Sequence, residues 1–257
     1  MIESLQNDKI KHLSRLLTDN RFRKKSGTFA VEGKQENQRA LHFGYEPLEF
    51  FICEDLYQDG IPDAKTLFIS EKVYDKIAYR GTSEGIIGIY KTKAHTLNTL
   101  ILKDNATVII VESVEKPGNL GAILRSCEAF GIDALVITDP KVDFYNPNVI
   151  RSSVGCLFGM AVYQCDNALL AEFLTEQQVE IFTTKMSNDA TDLYKNNFTG
   201  KSALIFGTEH SGISDFWVGK GKNVLIPMVG TIDSLNLSNA VAISCYEILR
   251  QKSSAND

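Results

Sequence analysis

No stretch of the chain reaches the roughly 18 consecutive apolar residues of a membrane-crossing helix, so no spanning helix is expected. The first residues, MIESLQNDKIKHLSRLL, lack both the apolar h-region and the small-residue cleavage site of a secretory signal, and a cytoplasmic protein with no membrane partner is expected. The five cysteines (Cys53, Cys127, Cys156, Cys165 and Cys245) include no CxxC pair. Neither a disulfide framework nor a metal site is therefore expected, and a free cysteine in apolar surroundings acts as a small hydrophobe. An excess of positive charge is also missing: the net charge of −5 argues against a protein that coats nucleic acid through bulk charge. There is no repeat of fixed period and no low-complexity tract beyond the closing SSAND, read as a frayed tail.

What is present is 257 residues, 44% of them apolar with a single Trp, enough for two globular domains with cores of their own. Ile10, Leu13, Leu16 and Leu17 fall at helical spacing, with Lys9, Lys11, Arg15, Arg21, Arg23, Lys24 and Lys25 around them, which predicts a basic helix followed by a basic turn. TFAVEG reads as a strand closed by Gly33, ENQRALHFG as a helix, EFFIC and TLFIS as strands, EKVYDKIAY as a helix capped by Ser70, and GIIGIY as a last strand. KTKAHTLNTLILKDN is polar enough to hold a linker, which places the boundary between residues 98 and 105 and predicts domains 1–98 and 105–257. Beyond it, short apolar runs (TVIIV, ALVIT, MAVYQ, EIFTT, SALIFG, NVLIPM) alternate with helical patterns, the mark of an α/β domain whose parallel sheet is covered on both faces.

Ligands of such sheets bind beyond the carboxyl ends of the strands, and three loops there carry glycine and polar residues. EKPGNLGAILRSCEAFG holds Asn119, Gly121 and Arg125, and a loop amide near a helix start with a guanidinium one to two turns on suits an anion such as an RNA phosphate. A tight β–α turn whose Arg forms a surface ion pair fits the same residues. A dinucleotide is less well served, since there is no GxGxxG and no acidic residue closes the next strand before Asp139. In IFGTEHSGIS, Gly207 can let a ligand approach the backbone, Glu209 supplies a carboxylate and Gly212 allows positive φ, while His210 reads as a solvated loop residue. In IPMVGTIDSLNLSNAVAIS, Ser238 can cap the last helix, and Leu235 between Ser234 and Asn236 reads either as a pocket contact or as a staple at the helix entry.

In this order, NLGAILR, GTEHSGIS and IPMVGTIDSLNLSNA closely resemble the three motifs of the SpoU/TrmH family of RNA ribose 2′-O-methyltransferases. The N-terminal KIKHLSRLL…FAVEGKQENQRAL…GIIGIY is similar to the small α/β substrate-binding domain many of them carry, so the resemblance covers nearly the whole chain. It implies a C-terminal parallel-sheet methyltransferase domain threaded into a deep trefoil knot, an exception to the rule against threaded chains. It implies S-adenosylmethionine as cofactor, with Gly207, Ile226, Met228 and Leu235 at the matching positions, and a homodimer whose sites are completed across the interface. Asn119, Arg125, Glu209, Ser234 and Asn236 match the polar residues implicated in RNA binding or catalysis. Thr208 departs from the family's frequent Asn.

The function so implied is methylation of a ribose 2′-hydroxyl in structured RNA, ribosomal rather than transfer RNA because the extra N-terminal domain is more typical of ribosomal-RNA members. The family proposal makes the Arg matching Arg125 the base, but an arginine holds its proton tightly, so proton acceptor and electrostatic stabiliser both stand. Arg21, Arg23, Lys24 and Lys25 are expected to engage RNA phosphates in a salt-dependent way; the plainer reading is a solvated helix face. Two rivals are a non-catalytic RNA-binding module that keeps the knot and a nucleotide-dependent oxidoreductase. Methyl transfer separates the first from an enzyme, and a titration with NAD against S-adenosylmethionine separates the second.

Overall fold

The two hydrophobic periods of the sequence resolve into two units in the computed structural model, which describes residues 1–78, 84–208 and 211–254. In the first unit Asn7 starts helix α1 (Asp8–Thr18) by accepting a hydrogen bond from the Lys9 backbone, and Ile10, Leu13 and Leu16 form its buried stripe. Asp19 ends α1 and caps α2 (Asn20–Ser26), where it accepts from the Phe22 backbone at 3.1 Å; the expected basic turn is thus a second short helix, closed by Gly27 at φ 63°. Strand β1 (Thr28–Glu32), helix α3 (Lys34–His42), strands β2 (Pro47–Ile52) and β3 (Thr66–Phe68), helix α4 (Glu71–Ile77) and strand β4 (Ile86–Lys91) follow. Ser70 precedes α4, but its side chain makes no capping bond; its backbone carbonyl closes the turn instead, accepting from Val73 and Tyr74. The sheet order is β1-β4-β2-β3, antiparallel except for the parallel β2–β3 pair.

The second unit opens with β5 (Thr107–Glu112), α5 (Pro117–Ala129) and β6 (Ala134–Thr138). The chain then runs through α6 (Pro147–Ser152) and α7 (Cys156–Gly159), and returns as β7 (Val162–Cys165), α8 (Asn167–Glu176), β8 (Glu180–Thr183), β9 (Thr191–Asp192), β10 (Ser202–Phe206), β11 (Lys222–Leu225) and α9 (Leu237–Ser254). Seven strands lie in the order β7-β6-β5-β10-β8-β11-β9, every pair parallel, which is the expected α/β architecture. Every residue of β5, β6 and β10 is buried, as a sheet covered on both faces demands. The two-residue β9 is too short to show any period and had no signal in the sequence.

Residues 143–159 cluster with Met1–Ala94 and not with the rest of the second unit, so the first compact unit takes in a segment from beyond the linear boundary drawn at 98–105. The physical reason is a shared core: the Tyr145 ring stacks on Phe29 at 4.1 Å, and Phe158 meets Tyr45 edge-on at 4.9 Å. The same segment corrects the reading of Arg23. Its side chain is 3% exposed, its Nε donates to Asp143 Oδ2 at 2.6 Å and its Nη1 to the Leu16 carbonyl at 2.7 Å, so Arg23 is a buried strut and not a phosphate contact.

Removing one member of a buried ion pair leaves the other charged and unsolvated, so Arg23→Met is expected to destabilise the protein by about 3–5 kcal/mol in urea unfolding. Asp143→Leu in the same chain should recover a large part of that loss, and a single variant as stable as wild type would show that the pair does not hold the segment.

Candidate active site

β8, β10 and β11 are neighbours in the sheet and all parallel, so the loops leaving their carboxyl ends lie side by side. Between these loops is a cavity of about 480 Å³, within the roughly 300–1,000 Å³ of small-molecule sites. Gly207, Ile226, Met228 and Leu235 all line it, and so does Ser234. Leu235 is therefore a pocket residue, and the staple reading is not needed.

Gly207 is required for a reason the sequence did not reveal. A Cβ built there would lie 1.9 Å from the Gly212 carbonyl carbon and 2.1 Å from the Ile213 nitrogen, so the strand end is packed against its own returning loop. Thr208 and Gly212 exchange backbone hydrogen bonds of 2.8 and 3.1 Å, and Gly212 closes the loop at φ 66°. Thr208 lines the cavity, and its hydroxyl accepts from the Ser211 backbone at 2.9 Å. Glu209, like His210, lies outside the described residues.

The first and third motif loops meet at one hydrogen bond. Asn119 sits in the first turn of α5, which Pro117 opens, rather than in the loop before it. The Asn236 amide donates to its side-chain oxygen at 3.3 Å, and α5 packs along α9. Asn236 Oδ1 also accepts from the Ser238 backbone at 2.9 Å and hydroxyl at 2.7 Å, so Asn236 and not Ser238 caps α9. Ser234, Leu235 and Asn236 thus hold a cavity wall and a helix start within three residues.

Arg125 is exposed on α5, does not line the cavity, and forms no ion pair among the described residues. Arg21, Lys24 and Lys25 are exposed on α2 in the first unit, and the Arg15 guanidinium lies 3.8 Å over the Phe22 ring. The cavity also uses Thr184, Lys185 and Met186, which lie outside the three motif loops, and Phe206 and Asp233, which lie within them but were not singled out. Near it, hydrogen bonds from Ser187 and Asn223 hold the Asp189 carboxyl below its ordinary range, and Asn223 in turn accepts from the Thr183 hydroxyl at 2.7 Å. Neither Cys127 nor Cys165 lines the cavity, and both thiols are raised: a hydrogen bond with Cys245 and then burial raise Cys127, and burial pushes Cys165 up to about 12.

Residues 106–246 match the model of the SpoU rRNA Methylase family. The chain belongs to that family. Residues 7–88 match a second model, the MRM3-like substrate binding domain, in agreement with the resemblance read from the N-terminal motifs. Among relatives of this SpoU methylase, the 23S rRNA (guanosine(2553)-2′-O)-methyltransferase RlmP of Bacillus subtilis (strain 168) is 28% identical over 251 residues, 96% of this chain and 98% of the relative. A crystal structure of an RNA 2′-O ribose methyltransferase superposes with a TM-score of 0.85 at 30% identity, covering 98% of this chain and 99% of that one. The SpoU methyltransferase AviRb from Streptomyces viridochromogenes, in complex with the cofactor AdoMet, gives 0.89 at 22% identity, with 97% of this chain and 99% of that one covered, a likeness of fold.

Because a side chain at Gly207 must displace the Gly212 backbone, Gly207→Ala is expected to weaken S-adenosylmethionine binding by at least about tenfold in calorimetry while the far-ultraviolet circular dichroism is kept. Unchanged affinity would remove Gly207 from the cofactor site.

Proposed function

We propose that the chain is a cytoplasmic, S-adenosylmethionine-dependent enzyme that methylates a ribose 2′-hydroxyl in ribosomal RNA. The observation that carries this reading is the cavity at the carboxyl ends of β8, β10 and β11, on which all four residues matched to the family's cofactor positions converge. Its lining suits the cofactor: a glycine-tight backbone edge at Gly207 for polar groups, and Ile226, Met228 and Leu235 for apolar ones. In this reading the segment from Ile226 to Asn236 is part of the trefoil knot.

When bound, S-adenosylmethionine supplies an electrophilic methyl group. The residues of the chain then have to hold the 2′-oxygen in line with that methyl and accommodate the loss of the hydroxyl proton. The Asn119–Asn236 pair presents amide groups toward the ribose, Ser234 adds a hydroxyl from the cavity wall, and Glu209 is assigned to the same chemistry by its match to the family motif alone. Arg125, exposed and unpaired among the described residues, offers a planar fork to an RNA phosphate and stabilises the charge that develops on the oxygen.

Residues 1–98 bind the RNA, with Arg21, Lys24 and Lys25 on one short helix as the phosphate contacts. The enzyme works as a homodimer. Ile243, Tyr246 and Leu249 stand exposed one turn apart on α9, with the Phe130 ring 5.9 Å from Tyr246, an apolar stripe of the kind that a second copy covers. Among the described residues no helix is long and apolar enough to cross a membrane.

Transfer of tritium from labelled S-adenosylmethionine to ribosomal and transfer RNA of a strain lacking the protein tests the activity, and mapping the alkali-resistant linkage identifies the nucleotide. Label in ribosomal RNA is expected. No label in either pool, despite measurable cofactor binding, would favour a non-catalytic module. Arg125→Lys keeps the charge and loses the fork, and turnover is expected to fall by about 10²-fold. Near wild-type turnover would remove planar geometry from the mechanism.

RNA affinity should fall as salt rises, and replacing Lys24 and Lys25 by Ala should flatten the log–log slope by roughly 1.5 through two lost phosphate contacts. An unchanged slope would return them to a solvated face.

A further inference from the structure

A buried carboxylate outside the cavity is hydrogen-bonded to the end of the loop that forms one of its walls. Glu112 ends β5 and is 3% exposed, and a carboxylate this deep has to be met by donors. Three converge on it. Oε1 accepts from Asn167 Nδ2 and from the Ser214 hydroxyl, both at 2.6 Å, and Oε2 accepts from the Ser214 backbone N–H at 2.8 Å. Ser214 is therefore clamped through backbone and side chain to the two oxygens of one group.

Asn167, the first residue of α8, extends the network. Its oxygen accepts from Trp217 Nε1 at 3.0 Å, and its amide also reaches Asp139 Oδ2 at 3.3 Å. The Trp217 side chain is fully buried, so the indole N–H needs that acceptor. Where β5 and β6 end, the backbone turns through left-handed conformations at Ser113 (φ 50°) and Asp139 (φ 46°), costly for residues other than glycine, and the Ser113 N–H donates to the Thr138 carbonyl at 2.8 Å. The network thus joins two strand exits, a helix start and the chain that leads into Trp217.

The loop between Gly207 and Ser214 is held at two ends. β10 and the close backbone contact of Gly207 with Gly212 hold the first, and Glu112 holds the second. Between them Thr208, Ser211, Gly212 and Ile213 face the cavity. We infer that Glu112 is a positioning residue, which sets the cofactor-facing loop through Ser214 without touching cofactor or RNA. The inference rests on the cavity being the cofactor site.

Glu112→Gln keeps the size of the side chain but cannot meet the three donors. If its NH2 faces Ser214 N–H or Asn167 NH2, two donors oppose each other, and one of those placements is unavoidable. The test begins with the protein free of cofactor. Hydrogen exchange in the segment containing 207–214 should speed up by about tenfold or more in this variant, while β5 and β10 keep their protection. The S-adenosylmethionine Kd from calorimetry, and its KM, should rise by at least about tenfold while the KM for RNA stays within about twofold. Glu112→Asp, which keeps the charge, should recover part of the effect. Ser214→Ala, which removes only the hydroxyl, should raise the Kd by about threefold.

Wild-type loop exchange and cofactor affinity in a folded Glu112→Gln protein would overturn the inference. So would loss of protection throughout the sheet, which would make Glu112 merely structural. If that variant does not fold, unchanged loop exchange and Kd in Ser214→Ala decide against the inference in the same way. Failure of the wild-type protein to bind S-adenosylmethionine would instead remove the functional reading, and the exchange measurement, made without cofactor, would still report on the clamp.

Discussion

The parallel pairing of β10 with β5 on one side and β8 on the other is the constraint on which the site depends. Parallel neighbours leave the sheet in the same direction, so the loops after β8, β10 and β11 emerge together although they are far apart in sequence. The burial of every residue of β5 and β10 holds that frame rigid, and only the loops remain free to meet a ligand. The cavity follows from strand direction and not from any one motif.

Two acidic groups, the partly buried Asp143 and the buried Glu112, then determine where irregular chain is held. Asp143, paired with Arg23, fastens residues 143–159 to the first unit, and Glu112 fastens the loop that ends at Ser214 to the second. In both cases a group that is expensive to bury is retained because its donors come from chain distant in sequence, which makes the contact specific as well as costly. Backbone close approach does a similar job at Gly207, where the absence of a side chain lets the strand end and the returning loop touch.

Methyl transfer to a ribose hydroxyl asks little covalent chemistry of a protein and a great deal of placement. The described site agrees with that demand. It offers hydrogen-bonding amides, a glycine-tight backbone and an apolar wall, and no cysteine is among the described residues that line the cavity. The match of residues 106–246 to the SpoU rRNA Methylase family and the likeness to RlmP over nearly the whole chain agree with ribosomal RNA as the substrate.

By itself the sequence determined the α/β class, the parallel sheet, the family and the three loops, because these rest on local periodicity, on glycine placement and on motif order. TVIIV, ALVIT and SALIF read as strands buried on both faces and are so, and Gly207, Ile226, Met228 and Leu235, named from the family resemblance, all line the cavity. The tertiary structure decided what depends on partners distant in the chain. Arg23 read as one more surface cation until Asp143 buried it, and residues 143–159 read as part of the second domain until Tyr145 stacked on Phe29. Asn236, not Ser238, proved to be the cap that also reaches Asn119, and Glu112 carried no signal at all. A sequence records which groups need a partner; only the folded chain, by bringing residues about a hundred positions apart within 3 Å, decides which partner each one finds.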